Sequence, residues 1–306
     1  MAFEFKGRTA FITGGASGAG FGQAQVFGRL GCKIAIADIR ADAVEKAIGE
    51  LKNEGITCHG VVLDITDRTA FSRAADEVEA ALGPVTMLFG TAGVSIFGPL
   101  EKATYADYDW IMDVNFNGVV NLMQTFVPRM IEHGQGGHIV NTASLGCFMA
   151  SSGAGIYSAS KFAVHGITMA MRDALKDYGI GVSVLAPANI KSNIAESVFT
   201  RPEKYADSGF DVDENEIKAL QEIYSQGMEP EELAGHVKEA IEENRFYIIP
   251  YPEAREGMEA IFKQALDALP PANSDKEGQE KRAQAMYKYI AARNKMDQER
   301  YGQATR

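Results

Sequence analysis

"TGGASGAGFG", residues 13–22, follows only twelve residues of chain and puts Gly14, Gly15, Gly18, Gly20 and Gly22 into nine positions, where average usage supplies roughly one glycine or fewer. The run is entered from a short apolar, β-branched stretch, "RTAFIT" (8–13), and leads into a helix-length segment, 18–30. A glycine-rich turn between strand and helix presents backbone N–H groups at a helix N-terminus, where they can hold a pyrophosphate that side chains would crowd out. The spacing Thr13–Gly14–x3–Gly18–x–Gly20 departs from GxGxxG, so the loop alone could equally be a tight turn without a ligand. Asp38 separates the two readings, because it closes the next strand-like run eighteen residues past Gly20. A carboxylate there can accept hydrogen bonds from the ribose hydroxyls of an adenosine. The stretch reads as a dinucleotide cradle.

Working outward, strand-like runs at 33–38, 57–64, 86–90, 138–143 and 181–186 alternate with helix-length segments at 40–54, 67–82, 107–133 and 155–178. Strands alternating with helices imply βαβ units on a parallel sheet, whose two-sided burial explains near-continuous apolar strands. The expected fold class is α/β: a single doubly wound, Rossmann-like parallel sheet with helices on both faces. One catalytic domain is expected over 1–306. After Pro187 the pattern changes to a polar, acidic insertion with no further strand before "RFYIIP" (245–250). We expect 190–240 to form a mobile substrate lid over the carboxyl end of the sheet, and 252–306 to form a helical C-terminal extension. In the latter, Ala283, Met286, Tyr287 and Ile290 fall at helical spacing.

Composition narrows the class. The 306 residues are 46% hydrophobic and 23% charged with a net charge of −11, a globular profile. That charge argues against a nucleic-acid partner, which needs clustered Lys and Arg. Cys32, Cys58 and Cys147 are odd in number and lack a CxxC, so neither a disulfide framework nor a zinc site is signalled. His133 and His138 lack a third ligand, and no metal is expected. No secretory leader is read at the start and no apolar run could span a bilayer. A soluble, cytoplasmic protein is expected.

The chemistry lies in "NTASLGCFMASSGAGIYSASK" (141–161). Tyr157 and Lys161 are four residues apart in a helical segment and share a face, which by itself is an ordinary pattern. Ser144 changes its meaning, because it ends the fifth strand at the edge where the cradle opens. Strand end and helix face can then converge on one reacting oxygen. A free phenol titrates near 10. A neighbouring Lys161 ammonium and a positive nicotinamide ring would both bring Tyr157 down toward working pH. Tyr157 would then be the base for an alcohol whose hydride leaves for the nicotinamide, with Ser144 holding the substrate oxygen.

Taken together, these motifs resemble the short-chain dehydrogenases/reductases across the whole α/β region: the glycine turn, Asp64, Ala92–Gly93, Asn115, Ser144, Tyr157, Lys161, then Pro187 through Ser192. The resemblance implies a catalytic set of Asn115, Ser144, Tyr157 and Lys161, with Asn115 and the lysine supporting a proton-relay water. It places Gly14, Ser17, Gly18, Ala19, Gly20, Asp38, Asp64, Ile65, Ala92, Gly93, Ile190 and Ser192, besides Tyr157 and Lys161, against NAD. Two positions depart from the family pattern. Thr91 stands where the family has Asn, and Ala188 where it has Gly after the sixth strand. A narrower resemblance, carried by "TGGASGAGFGQA", "PANIKSNIAE" and "YIIPYPEAREG", is to the bacterial Cα-dehydrogenases that oxidise the benzylic alcohol of lignin-derived β-aryl ethers.

The loops after strands four to six carry Ile96, Phe97, Phe148, Met149 and Ile190, an apolar set without a Lys/Arg handle for phosphate or CoA. Phe97 and Phe148 are expected to touch an aromatic secondary alcohol. Steroid or 3-oxoacyl reduction on the same fold is the rival activity, and NAD sensing without turnover is the rival class. Ala163, Gly166 and Ala170 lie on one side of the segment 155–178 and permit close helix contact, so a homodimer or homotetramer built on 107–133 and 155–178 is expected.

Overall fold

The computed structural model describes residues 3–211, 214–272 and 274–301. It divides into a unit ending at Pro252 and a second unit beginning at Glu253. The first is built on seven parallel strands: β1 (Thr9–Thr13), β2 (Lys33–Asp38), β3 (Cys58–Val62), β4 (Val85–Gly90), β5 (Gly137–Thr142), β6 (Ile180–Leu185) and β7 (Tyr247–Ile248). Their order is β3-β2-β1-β4-β5-β6-β7, so the winding reverses between β1 and β4. In such sheets the crevice at that reversal, outside the carboxyl ends of the strands, is where ligands bind.

Alternation along the strands builds two core layers. Ala10 and Ile12 of β1 pack with α1 (Gly18–Arg29), α2 (Ala41–Asn53) and α8 (Pro230–Glu242), while Phe11 faces the other way with α3 (Arg68–Leu82) and α5 (Gly118–His133). A third layer patch centres on Val164 of α6 (Gly155–Leu175). Gly22 belongs to this packing rather than to a ligand, since a Cβ there would lie 2.4 Å from the Pro230 backbone.

The helix expected over 107–133 is two helices. α4 (Tyr105–Met112) opens with a capping box between Thr104 and Asp107, and a π turn over Asp113–Asn117 joins it to α5. β7 is shorter than the run 245–250 because it pairs with only two residues of the β6 edge, Val184 and Leu185. Residues 230–240, read as part of the lid, are α8 and lie in the core with Leu233, Ala234 and Val237 fully buried. The insertion is closed at its base by a parallel bridge between Ile190 and Met228 and contains α7 (Glu214–Ser225). In the second unit, α9 (Arg255–Asp267) and α10 (Lys276–Tyr301) supply the helices; Met286, Tyr287 and Ile290 on α10 are exposed.

Candidate active site

The Thr13 side chain fastens β1 to the turn after β4: its Oγ1 accepts from the N–H of Thr91 (3.1 Å) and Ala92 (3.3 Å). Gly14 and Gly18 sit at φ +65° and +52°, which favour glycine. A Cβ on Gly14 would lie 2.8 Å from Ala92 Cα, one on Gly18 2.8 Å from Ser192, and one on Gly20 2.2 Å from the Gly14 carbonyl. Ser17 precedes α1 without capping it through its side chain, which leaves the first N–H groups of the helix open to an anion. Ala19 and Ile190 are buried beside this turn and line the same cavity as Ser192.

Asp38 ends β2 and is 8% exposed. Arg40 folds back onto it, with Nε 3.1 Å from Oδ1 and Nη2 3.3 Å from Oδ2, and its Nη2 also donates to Ser17 Oγ at 3.0 Å. Asp64, after β3, accepts from the N–H (2.9 Å) and hydroxyl (2.8 Å) of Thr66, and Ile65 packs against Gly118 of α5. The departure at Thr91 has a local partner, since its hydroxyl donates to Gln23 Oε1 at 2.8 Å. A glycine-lined turn that no Cβ could enter, an open helix N-terminus and a carboxylate at the far wall fit a dinucleotide.

Ser144, Tyr157 and Lys161 line the other end of the same cavity, whose volume is about 560 Å³. Ser144 is in extended backbone; its Oγ accepts from Gly146 N–H at 3.1 Å, donates to the Pro187 carbonyl at 3.4 Å, and lies near enough to the Tyr157 phenol to favour its ionised form. Lys161 is 3% exposed, and its Nζ donates to the Thr142 carbonyl at 3.0 Å and lies 5.6 Å from the Tyr157 ring centroid. Burial pushes the phenol up to about 12 and pushes Lys161 down to about 8. In the protein alone, loss of solvent outweighs the pull of Ser144 on the phenol; the lowering expected from the sequence includes the positive nicotinamide ring.

Asn115 lies in the π turn and is 1% exposed. Its Oδ1 accepts from Val94 N–H (2.8 Å), and its Nδ2 donates to the Val94 carbonyl and to Ser160 Oγ (both 3.0 Å). The side chain thereby fixes the strand exit beyond Ala92–Gly93. A Cβ on Gly93 would crowd both Asn115 Oδ1 (3.2 Å) and Lys161 Nζ (3.4 Å).

Phe97 and Met149 line the cavity, with the Phe97 ring centroid 6.3 Å from that of Tyr157. Phe148 does not, which corrects its expected place at the substrate. The 3-10 turn over Leu145–Cys147 sends neighbouring side chains to opposite sides, and Phe148 packs on His165 (4.9 Å) and Tyr247 (6.0 Å). Ile96 likewise turns away, into a core cluster with Trp110 and Tyr205.

The sequence reading missed the wall supplied by α4 and the insertion, where Trp110, Phe199, Tyr205 and Tyr224 face the cavity. Asp107 of α4 fastens this wall. Fully buried, it accepts from Arg201 (2.7 Å), Ser208 Oγ (2.8 Å) and the N–H groups of Thr104 (2.9 Å) and Gly209 (3.0 Å). The loop 207–209, part of the segment expected to form the mobile lid, is tied to α4 by these bonds.

Fold and site together define a dehydrogenase of the doubly wound type. The sequence pattern of the short chain dehydrogenase family matches residues 8–203, and the chain belongs to that family. It is 57% identical, over 92% of its length and 93% of the relative's, to a C alpha-dehydrogenase of Sphingobium sp. strain NBRC 103272 / SYK-6. The crystal structure of the apo form of LigD from Sphingobium sp. strain SYK-6 superposes with a TM-score of 0.74 at 51% identity, covering 87% of this chain and 99% of that one. A short-chain dehydrogenase/reductase from Burkholderia phymatum, solved in complex with NAD, gives 0.82 at 31% identity over 89% and 98%.

Proposed function

We propose that the protein oxidises the benzylic Cα hydroxyl of a lignin-derived β-aryl ether to a ketone, with NAD as acceptor. The observation that carries this reading is the one cavity joining the Gly14–Gly20 turn and Asp38 to Ser144, Tyr157 and Lys161. Gly14, Ser17, Gly18, Ala19 and Gly20 would cradle the pyrophosphate, Asp38 the adenosine ribose, and Asp64, Ile65, Ala92, Gly93, Ile190 and Ser192 the remaining surface of the cofactor. NAD, when bound, supplies the hydride acceptor and a positive ring charge that favours the phenolate of Tyr157.

The chain's own groups do the rest. Tyr157 takes the carbinol proton as the C–H bond breaks. Ser144 Oγ, already within reach of the phenol, holds the substrate oxygen in line and steadies its developing charge. Lys161, brought down to about 8 by burial, can pass a proton to solvent near neutral pH. Asn115 keeps the Val94 backbone and Ser160 in register with that lysine. The aromatic walls of Phe97, Trp110 and Tyr205 suit an aryl-substituted alcohol, which the similarity to the C alpha-dehydrogenase also supports.

Three further features belong to the same reading. Residues 190–228 act as the lid, hinged at the Ile190–Met228 bridge. The exposed Phe162, Met169 and Gly166 on α6 suit pairing of that helix in a homodimer or homotetramer. Free Cys32, Cys58 and Cys147 suit a reducing cytoplasm; among the described residues no helix is long and apolar enough to cross a membrane.

The test is NAD reduction, followed by absorbance, against a panel holding a β-aryl ether, an aliphatic alcohol, a steroid and a 3-hydroxyacyl thioester. The β-aryl ether should give the highest kcat/KM. A steroid or thioester ahead of it would transfer the assignment, and no reduction with any of them would leave an NAD-binding protein without turnover.

A further inference from the structure

Three tyrosines line the cavity: Tyr157, Tyr205 and Tyr224. Two of their hydroxyls are already engaged. Tyr157 faces Ser144 at the reacting centre, and Tyr205 donates to Asp113 Oδ2 at 2.5 Å. Tyr224 stands at the C-terminal end of α7, half-buried, and among the described residues its hydroxyl has no hydrogen-bond partner.

Its position is nevertheless fixed. The Tyr224 carbonyl accepts from Gly227 N–H at 3.0 Å, and the chain then pairs with the segment leaving β6, through Met228 N–H to the Asn189 carbonyl (3.0 Å) and Lys191 N–H to the Met228 carbonyl (3.1 Å). That segment carries Ile190 and Ser192, so one short ladder ties Tyr224 to the cofactor end of the cavity. Tyr224 also lies close enough to Tyr157 for the two phenolate charges to repel, and burial raises its own ionisation above the ordinary range. At working pH it is therefore a neutral donor, unsuited to a second base and suited to a hydrogen bond.

Open to water, such a hydroxyl is solvated. Once an apolar ligand fills the cavity and expels that water, an unpaired hydroxyl is unfavourable unless the ligand itself offers an oxygen. A plain benzylic alcohol has one oxygen, and Tyr157 with Ser144 holds it. We propose that Tyr224 recognises a second oxygen on the substrate side chain next to the carbinol, and so selects oxygenated aryl-alkyl alcohols over plain benzylic ones. The proposal rests on the benzylic-alcohol reading above and assigns Tyr224 to specificity, with the proton chemistry left to Tyr157.

The experiment compares wild-type protein and Tyr224→Phe with NAD and three alcohols that share one aryl group: a 1-arylpropan-1-ol, a 2-aryloxy-1-arylethanol and a 2-aryloxy-1-arylpropane-1,3-diol. Loss of a neutral hydrogen bond should lower kcat/KM for an oxygenated alcohol about five- to tenfold more than for the arylpropanol, chiefly through KM. A differential loss already present with the aryloxyethanol identifies the ether oxygen as the partner; one present only with the diol identifies the hydroxymethyl. An equal fall for all three alcohols, or no fall, overturns the assignment. If the wild-type protein oxidises none of them, the benzylic reading itself fails, before the variant is considered.

Discussion

Asp107→Asn tests how the substrate wall is held. The carboxylate is fully buried and faces Arg201, whose side chain is 9% exposed, at 2.7 Å. Burial alone would raise its pKa, but the N–H groups of Thr104 and Gly209, the Arg201 guanidinium and the Ser208 hydroxyl outweigh burial and hold it down to about 2. The stabilisation from this group is therefore complete above the ordinary Asp range and is lost only as pH falls through about 2. Near pH 7 the amide substitution alone removes it. The amide offers one acceptor in place of two, and its NH2 opposes donors. Breaking a buried pair costs about 3–5 kcal/mol. Arg201 keeps its bond to the Tyr205 carbonyl (2.5 Å) and its place over the Trp110 ring (4.9 Å), so the lower end applies. About 3 kcal/mol corresponds to roughly a hundredfold shift toward an open insertion. Amide exchange at Gly209, whose N–H donates to Asp107, should accelerate by that order, and KM for the alcohol should rise while NAD affinity holds. Unchanged Gly209 protection with KM within a factor of about two would refute the idea that Asp107 holds this wall.

Tyr157→Phe should lower kcat by about a thousandfold or more, within the range for loss of a general base, with NAD affinity within a few fold; retention of most of the activity would remove the tyrosine from its role. Because the phenol accepts the proton only when ionised and burial opposes that ionisation, alcohol oxidation should rise with pH until the phenol ionises in the NAD complex, and a rate that falls as pH rises from about 6 to 9 would contradict the assignment. At Asp38, a 2′-phosphate about 4 Å from the carboxylate would meet repulsion of up to roughly 4 kcal/mol at an effective dielectric near 20, so NAD should be preferred at least tenfold in kcat/KM. Asp38→Ala should raise kcat/KM with NADP more than tenfold, because Arg40, now bonded to Asp38, is released to face the phosphate; equal use of both cofactors by the unmodified protein would overturn this. Gly166→Glu on α6 should lower the mass seen by light scattering, and a wild-type monomer at assay concentrations would exclude pairing through that helix.

The parts of the site that could be read in the sequence are those where a single residue type answers a local demand. Gly14, Gly18 and Gly20 are legible because their backbone leaves no space for a Cβ, and Tyr157 with Lys161 because helical spacing alone puts them on one face. Features set by long-range placement were not legible. Asp107 and Arg201 are 94 positions apart, and no periodicity links them. Phe148 and Met149, like Ile96 and Phe97, are neighbours whose fates depend on how a short turn rotates the chain, so composition selected the loop but not the side chain. The π turn at Asn115 left no mark in the residue pattern, and only the family resemblance singled that asparagine out. The burial that opposes ionisation of Tyr157 was not legible either, because charge is visible in a sequence and depth of burial is not.

Incubating the protein with NAD and a β-aryl ether bearing a benzylic hydroxyl, then quantifying ketone and NADH together by chromatography, tests Cα oxidation itself. The Cα ketone and NADH should form in equal amounts, with both absent for Tyr157→Phe. NADH formed without that ketone, or the ether recovered unchanged in the presence of NAD, would contradict Cα oxidation.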